Sequence, residues 1–260
     1  MEIKVITIGS ELESAQRLGY KTSTNSQNYA RDYENYVIIR WGNSGPCMLS
    51  DGQRSGDYKN VINPADKIRL NCLKNKSTKL LAQVVNVPAL YEKNIPENVL
   101  AVVRPIEHSA GSGFSVKKGP LELQEGTYAT KFLKTEAEYR VWFCGKRTMG
   151  GRRVKMSCNE EQEFPCRSKW GYEFCDSISK DLHNQTLLAA KKIGLDCGAA
   201  DILFYKGKWY FLELNSAPSV DHRVVREFYQ NALKELISYK FKKKESDENK
   251  PEIGTVVSTM

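Results

Sequence analysis

Long apolar runs are missing from this chain of 260 residues. No stretch of about 18 consecutive apolar residues occurs, which excludes a membrane-spanning helix. The N-terminus has no basic region followed by an apolar stretch, so no signal peptide is read and a cytoplasmic protein is the expectation. Histidine is scarce, with 3 in the chain, and the 7 cysteines (Cys47, Cys72, Cys144, Cys158, Cys166, Cys175, Cys197) form no CxxC pair. That odd, scattered set argues for reduced thiols rather than a disulfide framework. The loosely spaced Cys158, Cys166 and Cys175 leave a structural zinc as the lesser alternative. Also absent are the GK[ST] of a P-loop and a GxGxxG opening a helix, which excludes two familiar phosphate cradles.

What is present is enough for a folded core: 40% of residues are apolar and 10% aromatic. A formal charge of +8 and a pI near 9.0 favour anionic partners, among which nucleotides, acidic peptides and nucleic acid all qualify. Part of the excess is "KFKKK" at 240–244, which opens a polar tail, and residues 241–260 are expected to be disordered.

Along the chain, "IKVITIG" (3–9) and "YVIIRWG" (36–42) read as strands around a helical "SELESAQRLGY", the opening of a small α/β unit. "SGPCMLSDGQRSGD" (44–57) is turn-rich, and a helix is predicted over 75–85, stopped before Pro88. Short strands follow at 99–105, 127–133, 137–145 and 152–158, then a helix over 176–193 with Gly194 past its end. Two further strands, 199–205 and 209–215, meet at "KGK", and a last helix covers 221–239. The segment "CRSKWGYEF" (166–174) reads as a surface loop.

The stretch "FLELNSAPS" (211–219) is unusual because Glu213 and Asn215 share one side of an apolar strand. With the hairpin centred on Gly207, opposed residues sum to 414, which sets Asp201 across from Glu213 and Asn215 diagonal to it. Two carboxylates about 5 Å apart repel. Either they share a proton, or a hard cation lies between them, or the hairpin face is simply solvated; three oxygen donors of this kind suit magnesium. Upstream, "VVRPIEHSAGSGFSV" (102–116) joins two strands through a glycine-bearing loop, where Arg104, Ser109, Gly111, Ser112 and Gly113 could approach a phosphate closely. Charged Glu138 and Arg140 on one side of "EYRVWF" require polar partners.

Taken in order, "NKSTKLLAQ…VP", "VVRPIEHSAGSGF", "YATKFL…EYRVWFCG", "GLDCGAADILFY" and "FLELNSAPS" resemble the ATP-grasp superfamily, and within it the RimK-like carboxylate–amine ligases. The resemblance covers about residues 62–235. It implies an α+β fold, the ATP-grasp fold, in which two α+β lobes enclose a nucleotide cleft behind a small α/β pre-ATP-grasp domain. The corresponding division is 1–70 for the N-terminal domain, 71–135 for the first lobe, 136–240 for the second lobe and 241–260 for the tail.

By the same resemblance, Asp201, Glu213 and Asn215 match the ligands of magnesium, or of manganese in its place. Arg104 stands where the family usually has a phosphate-contacting lysine, and His108, Ser109, Gly111, Ser112 and Gly113 match the flexible loop. Lys76, with Lys74 as the close alternative, matches the earlier phosphate lysine. Lys131, Phe132 and Leu133 match the adenine hinge and Glu138 the ribose acid, while Arg140, Arg153 and Arg167 match basic positions facing the phosphates or an acyl phosphate. Lys131 replaces the usual hinge acid, and Arg at 104 keeps the charge but changes its geometry.

The activity implied is ATP-dependent joining of a carboxylate acceptor to an amine or amino acid, with release of ADP and phosphate. An ATP-grasp phosphotransferase and a non-catalytic nucleotide-binding or nucleic-acid-binding module are the alternatives. Basic residues near the substrate rim that the resemblance implies point to an acidic peptide or a nucleic-acid group as acceptor, and no membrane partner is expected.

Overall fold

The computed structural model describes residues 1–24, 36–45, 47–48, 54–55, 58, 60–106, 113–155, 170–175 and 177–248. The chain opens with β1 (Glu2–Thr7), helix α1 (Leu12–Gln16), β2 (Lys21–Ser23) and β3 (Tyr36–Trp41). A short ribbon of β4 (Cys47–Met48) and β5 (Arg54–Ser55) precedes β6 (Val61–Ile62). Strands β2, β1, β3 and β6 lie side by side in that order, all parallel. Val5 and Ile39 enter one apolar cluster while Ile6 and Ile38 enter another. A parallel sheet covered on both faces reads as continuous apolar runs, which is why "KVIT" and "YVIIRW" do not alternate.

Two helices follow where the sequence pattern predicts one. Helix α2 (Ala65–Cys72) and α3 (Lys74–Leu81) are separated at Leu73, whose backbone (φ −77°, ψ 84°) is not helical. Beyond them come β7 (Leu90–Tyr91), β8 (Asn94–Ile95), β9 (Leu100–Pro105), β10 (Ser115–Lys118), β11 (Leu121–Glu122) and β12 (Thr127–Lys131). An antiparallel sheet of order β10-β9-β12-β7 and a β8–β11 ribbon result, with Ile95, Ala101 and Ala129 at their small core.

The largest sheet contains β13 (Ala137–Cys144), β14 (Arg147–Lys155) and β15 (Trp170–Phe174). After helix α4 (Lys180–Ile193) come β16 (Cys197–Tyr205) and β17 (Lys208–Asn215). The strands are ordered β15-β14-β13-β16-β17 and antiparallel throughout. Residues 170–174, expected as loop, form an edge strand because they continue the β14 ladder. Helix α4 starts later than the predicted 176: the Ser179 side chain accepts from the Leu182 amide at 3.1 Å, and Gly194 closes the helix at φ 88°.

One face of this sheet packs Val141, Phe143, Ala200 and Phe211 against α4 and against Ile68 and Leu81. The other packs Trp142, Cys144, Cys197 and Ala199 against the N-terminal sheet and against helix α5 (Arg223–Glu248). Trp41 meets Tyr229 edge-on at 5.2 Å inside that core. Cys144 and Cys197, read from sequence as packed in strands, are buried. Of the tail expected to be disordered from 241 to 260, residues 241–248 instead continue α5 to Glu248, with Phe241 buried in the shared core, and 249–260 lie outside the described residues. Lys240 Nζ fixes this part of the helix by binding Asp196 at 2.7 and 2.8 Å and the Val61 carbonyl at 3.1 Å. Among the described residues no helix is long and apolar enough to cross a membrane.

The β16–β17 hairpin turns at Lys206 and Gly207, both with positive φ (49° and 72°), the conformation of a two-residue turn matched to strand twist. Near this tip the opposed residues sum to 413, as in Tyr205 with Lys208 and Ile202 with Phe211. A bulge then adds Leu212, and from there Asp201 faces Glu213 and Ala199 faces Asn215. The predicted pairing of the acids holds, although the turn that produces it is shorter than Gly207-centred arithmetic assumes.

Asn63 joins the N-terminal sheet to the start of β16. Fully buried at φ 59°, it donates to the Cys197 carbonyl at 2.9 Å and accepts from the Asp196 and Cys197 amides at 2.8 and 3.0 Å. Asn63→Ala is expected to cost about 3 kcal/mol in urea denaturation, since it removes buried bonds and disfavours the backbone conformation. Asn63→Gly, which loses only the bonds, should cost less.

Candidate active site

Three adjacent strands bring charged side chains into one row. In the ladder, Arg140 of β13 is opposite Asp201 of β16, which is opposite Glu213 of β17. Arg140 binds Asp201 through two parallel bonds, Nε to Oδ1 at 2.7 Å and Nη2 to Oδ2 at 2.8 Å. The fork geometry of guanidinium and carboxylate makes this the strong form of ion pair. Asp201 is only 1% exposed, and Asn215 Nδ2 also donates to its Oδ2 at 3.2 Å. Burial by itself would lower the Arg140 pKa, but the Asp201 charge and its hydrogen bonds outweigh burial and raise it. Arg140 therefore keeps its positive charge beside Asp201.

Glu213 has its own cation. Lys74 Nζ lies 3.6 Å from Glu213 Oε2 and donates to the Leu214 carbonyl at 3.3 Å. Asn71 Nδ2 donates to the same carbonyl at 2.8 Å, so the break between α2 and α3 is docked on β17 and places Lys74 at the start of α3. Lys74 is buried while Lys76 is exposed, so of the two lysines weighed from sequence the structure brings Lys74, not Lys76, to the acids. Two protein cations thus answer two carboxylates, and the repulsion inferred from the hairpin is offset within the chain.

Gly198 explains the glycine three residues before Asp201. A Cβ at this position would lie 2.4 Å from the Asn215 carbonyl oxygen, so only glycine lets the two strands approach there. Tyr229, fully buried, donates to the Gly198 carbonyl at 2.6 Å and fixes the strand from the opposite side.

A second charged row lies beside the first. Arg153 of β14 forms an ion pair with Glu138 of β13, and both side chains are largely buried. Arg153 Nη2 also donates to Tyr172 Oη at 2.8 Å. Glu138, expected to meet a ribose, is therefore engaged by Arg153. Opposite Glu138 in the ladder is Leu203, buried, which adds an apolar surface next to the charges.

From the four-stranded antiparallel sheet, Arg104 of β9 stands opposite Tyr128 of β12. Burial pushes the Tyr128 phenol up, Arg104 beside it pulls the other way, and the field of Glu213 reaches it as well. Arg104 Nε is buried without a hydrogen-bond partner among the described residues. At the predicted hinge, the Lys131 and Phe132 amides donate to the Ala89 and Leu100 carbonyls at 2.8 Å each, and Leu133 is buried. Gly113 has φ 72°, against Pro105. His108, Ser109, Gly111, Ser112, Arg167, Cys158 and Cys166 lie outside the described residues.

Among the described residues no three His, Cys, Asp or Glu side chains converge as a metal cluster. Asp201, Glu213 and Asn215 do offer two carboxylates and an amide oxygen on one face, a donor chemistry that fits a hard cation such as magnesium. A separate cavity of about 340 Å3, lined by residues including Asn75, Glu92, Asn94, Glu122 and Glu125, shares no residue with this cluster.

No family model matches the chain, and no curated protein matches it. Solved structures do. A D-alanine–D-alanine ligase from Bacillus anthracis superposes with TM-score 0.62 at 10% identity, covering 96% of this chain and 100% of that one. The ATP-grasp ligase PsnB in complex with a minimal precursor, Mg and ADP gives TM-score 0.57 at 14% identity, covering 90% and 97%. The chain has the ATP-grasp fold. The macrocyclase MdnC of Microcystis aeruginosa, bound with precursor peptide MdnA, shares it at TM-score 0.58 and 12% identity over 90% and 99%. Against another PsnB structure the match spans 67% of this chain and 64% of that one, at TM-score 0.50.

On this ATP-grasp scaffold, sequence reasoning did not single out Tyr128, Tyr172 or Leu203. Tyr128 needs the β9–β12 register, whereas the alternation in "WGYEF" was a usable signal for Tyr172. If Asp201 depends on Arg140 for its burial, Arg140→Met should destabilise the fold by about 3–5 kcal/mol. Arg140→Met combined with Asp201→Asn should recover most of that loss, which a double-mutant cycle in urea reads directly.

Proposed function

We propose that this chain is an ATP-dependent carboxylate–amine ligase of RimK-like type working through an acyl phosphate. The observation that carries the reading is the row of Arg140, Asp201 and Glu213, with Lys74 and Asn215, on an ATP-grasp fold. Solved neighbours add support: one D-alanine–D-alanine ligase structure is complexed with ATP, and one PsnB structure with a precursor peptide and AMPPNP. In this reading residues 1–70 form the N-terminal domain, 71–135 the first lobe and 136–240 the second.

A carboxylate resists attack by an amine because its carbon is a poor electrophile and oxide a poor leaving group. Phosphorylation removes that obstacle. An acceptor oxygen attacks the γ-phosphorus of ATP, the bond to the β,γ-bridging oxygen breaks, and ADP departs. The amine then attacks the acyl carbon, the bond to the phosphate oxygen breaks, and the amine proton is lost to the phosphate or to water. Asp201, Glu213 and Asn215 would hold magnesium, which supplies charge neutralisation along the ATP phosphates.

The chain's own cations do the rest. Lys74 at the start of α3 and Arg104 on β9 bind the nucleotide phosphates. Arg140 and Arg153, fixed by Asp201 and Glu138, present preorganised positive charge to the transferring phosphoryl group and the acyl phosphate, a type of contribution worth about 3 to 4 kcal/mol per donor. Leu203 and Leu133 line the adenine side. By resemblance alone, residues 108–113 correspond to the phosphate loop and Arg167 to a basic position on the acceptor side; apart from Gly113 they lie outside the described residues. The net charge of +8 favours an acidic peptide as acceptor, with a nucleic-acid group as the alternative.

The test is ADP release in the presence of magnesium against pooled amino acids, peptides and nucleotides, with mass spectrometry of the product. Release should require acceptor and amine together; a stable phosphorylated product without amine would move the reading to a phosphotransferase. Absence of ATP binding would overturn it. Lys74→Ala is expected to weaken ATP binding tenfold or more, about 1.4 kcal/mol, and Lys76→Ala less than twofold.

A further inference from the structure

Tyr172 lies in the aromatic segment "WGYEF", a stretch that the ligase reading takes as a substrate rim through Arg167 while giving Tyr172 itself no role. It sits on β15, the edge strand of the five-stranded sheet, directly opposite Arg153 in the ladder. Its hydroxyl accepts from Arg153 Nη2 at 2.8 Å. Its ring also faces both guanidinium groups, with the Arg153 Cζ 5.4 Å and the Arg140 Cζ 5.8 Å from the ring centroid. One side chain therefore touches both arginines, each of which is already tied to a different carboxylate, Asp201 or Glu138.

The support behind the ring is equally specific. Tyr172 meets Trp142 nearly edge-on at 5.3 Å, and Trp142 stacks on Phe174 at 5.6 Å. Phe174 in turn packs on His222 at 4.4 Å, just before α5. Gly151, on the strand between, has no side chain; a Cβ there would lie 3.0 Å from the Trp142 ring and 3.4 Å from the Tyr172 Cβ. The ring is thus seated on an aromatic stack with room made for it, and it offers a fixed π face to two cations.

We propose that Tyr172 is a positioning residue that holds Arg140 and Arg153 at a set separation and orientation for the acyl-phosphate half of the reaction. The proposal rests on the ligase reading for its chemistry, and on these contacts alone for its geometry. Each guanidinium is anchored by its own carboxylate, and the ring quadrupole adds one contact common to both without neutralising either. Of the residues assigned to ATP, Tyr172 touches only Arg140 and Arg153, which face the transferring phosphoryl group, and neither Lys74 nor Arg104 is among its contacts given above, so its effect should fall on turnover more than on ATP affinity.

Two measurements on Tyr172→Phe and Tyr172→Leu test this, with Glu173→Ala, an exposed neighbour on the same strand, as control. In steady-state ADP release, kcat should fall about tenfold for Tyr172→Phe and about a hundredfold for Tyr172→Leu, with Kd for ATP within twofold of wild type. Parallel loss of ATP affinity, thermal stability and kcat would assign Tyr172 a merely structural role and overturn the proposal. Independently of turnover, phenylglyoxal labelling mapped by mass spectrometry should modify Arg153 several-fold faster in both variants, while Arg140 in Tyr172→Phe stays at its wild-type rate. Unchanged Arg153 labelling overturns the proposal even if the enzyme is active. A wild-type chain that binds ATP but never releases ADP overturns the ligase reading, and the labelling then decides by itself whether Tyr172 holds the arginine.

Discussion

Burial of the Asp201 carboxylate is the constraint around which the rest of this structure is arranged. An aspartate almost closed off from water is tolerable only with full pairing, and Arg140 provides it from the neighbouring strand through two bonds. That pairing requires β13 and β16 to be adjacent and in one register. Glu213 must then share the face, which requires the bulge in β17, and its charge requires Lys74, which in turn requires the helix break at Leu73. Each of these local features is awkward by itself. Together they form a nearly neutral quartet in which every charge has an opposite one at hand.

The cores are distributed unevenly around that quartet. The N-terminal parallel sheet, α5 and one face of the five-stranded sheet share a single apolar cluster, and α2, α3 and α4 share the other face. Strands β7 to β12 have only a small cluster of their own. Arg104 and Tyr128 therefore belong to the part of the molecule with least apolar attachment, while Asp201, Glu213 and Arg140 belong to the part with most. A firmly packed charged row and a lightly anchored arm differ in how easily they open, the arm being the part with fewer buried apolar contacts to lose.

Much of the fold was legible because it is written locally. The parallel strands announce themselves as unbroken apolar runs, and the hairpin by alternation on each side of "KGK". What was not legible depends on contacts between distant elements. Lys74 and Lys76 are both plausible until α3 is docked on the Leu214 carbonyl. Glu138 looks available until the β13–β14 register sets it beside Arg153. The tail beyond Lys240 is polar in composition, yet Phe241 and the Lys240–Asp196 bond carry the helix onward. In the candidate site, side-by-side placement of Asp201, Glu213 and Asn215 followed from strand geometry; the identity of their counter-charges did not.

The bulge at Leu212 has a meaning for how such a sequence can drift. Pairing sums to 413 at the hairpin tip and to 414 at the acids. A three-residue turn without a bulge and a two-residue turn with one therefore deliver the same pair of carboxylates to the same face. Insertion of one residue at the tip and deletion of one residue from the bulge cancel, so length changes in this hairpin are tolerable in compensating pairs and ruinous singly. The acids are insulated from the turn by a slack of one residue, and an alignment that forbids gaps inside the hairpin would misplace them.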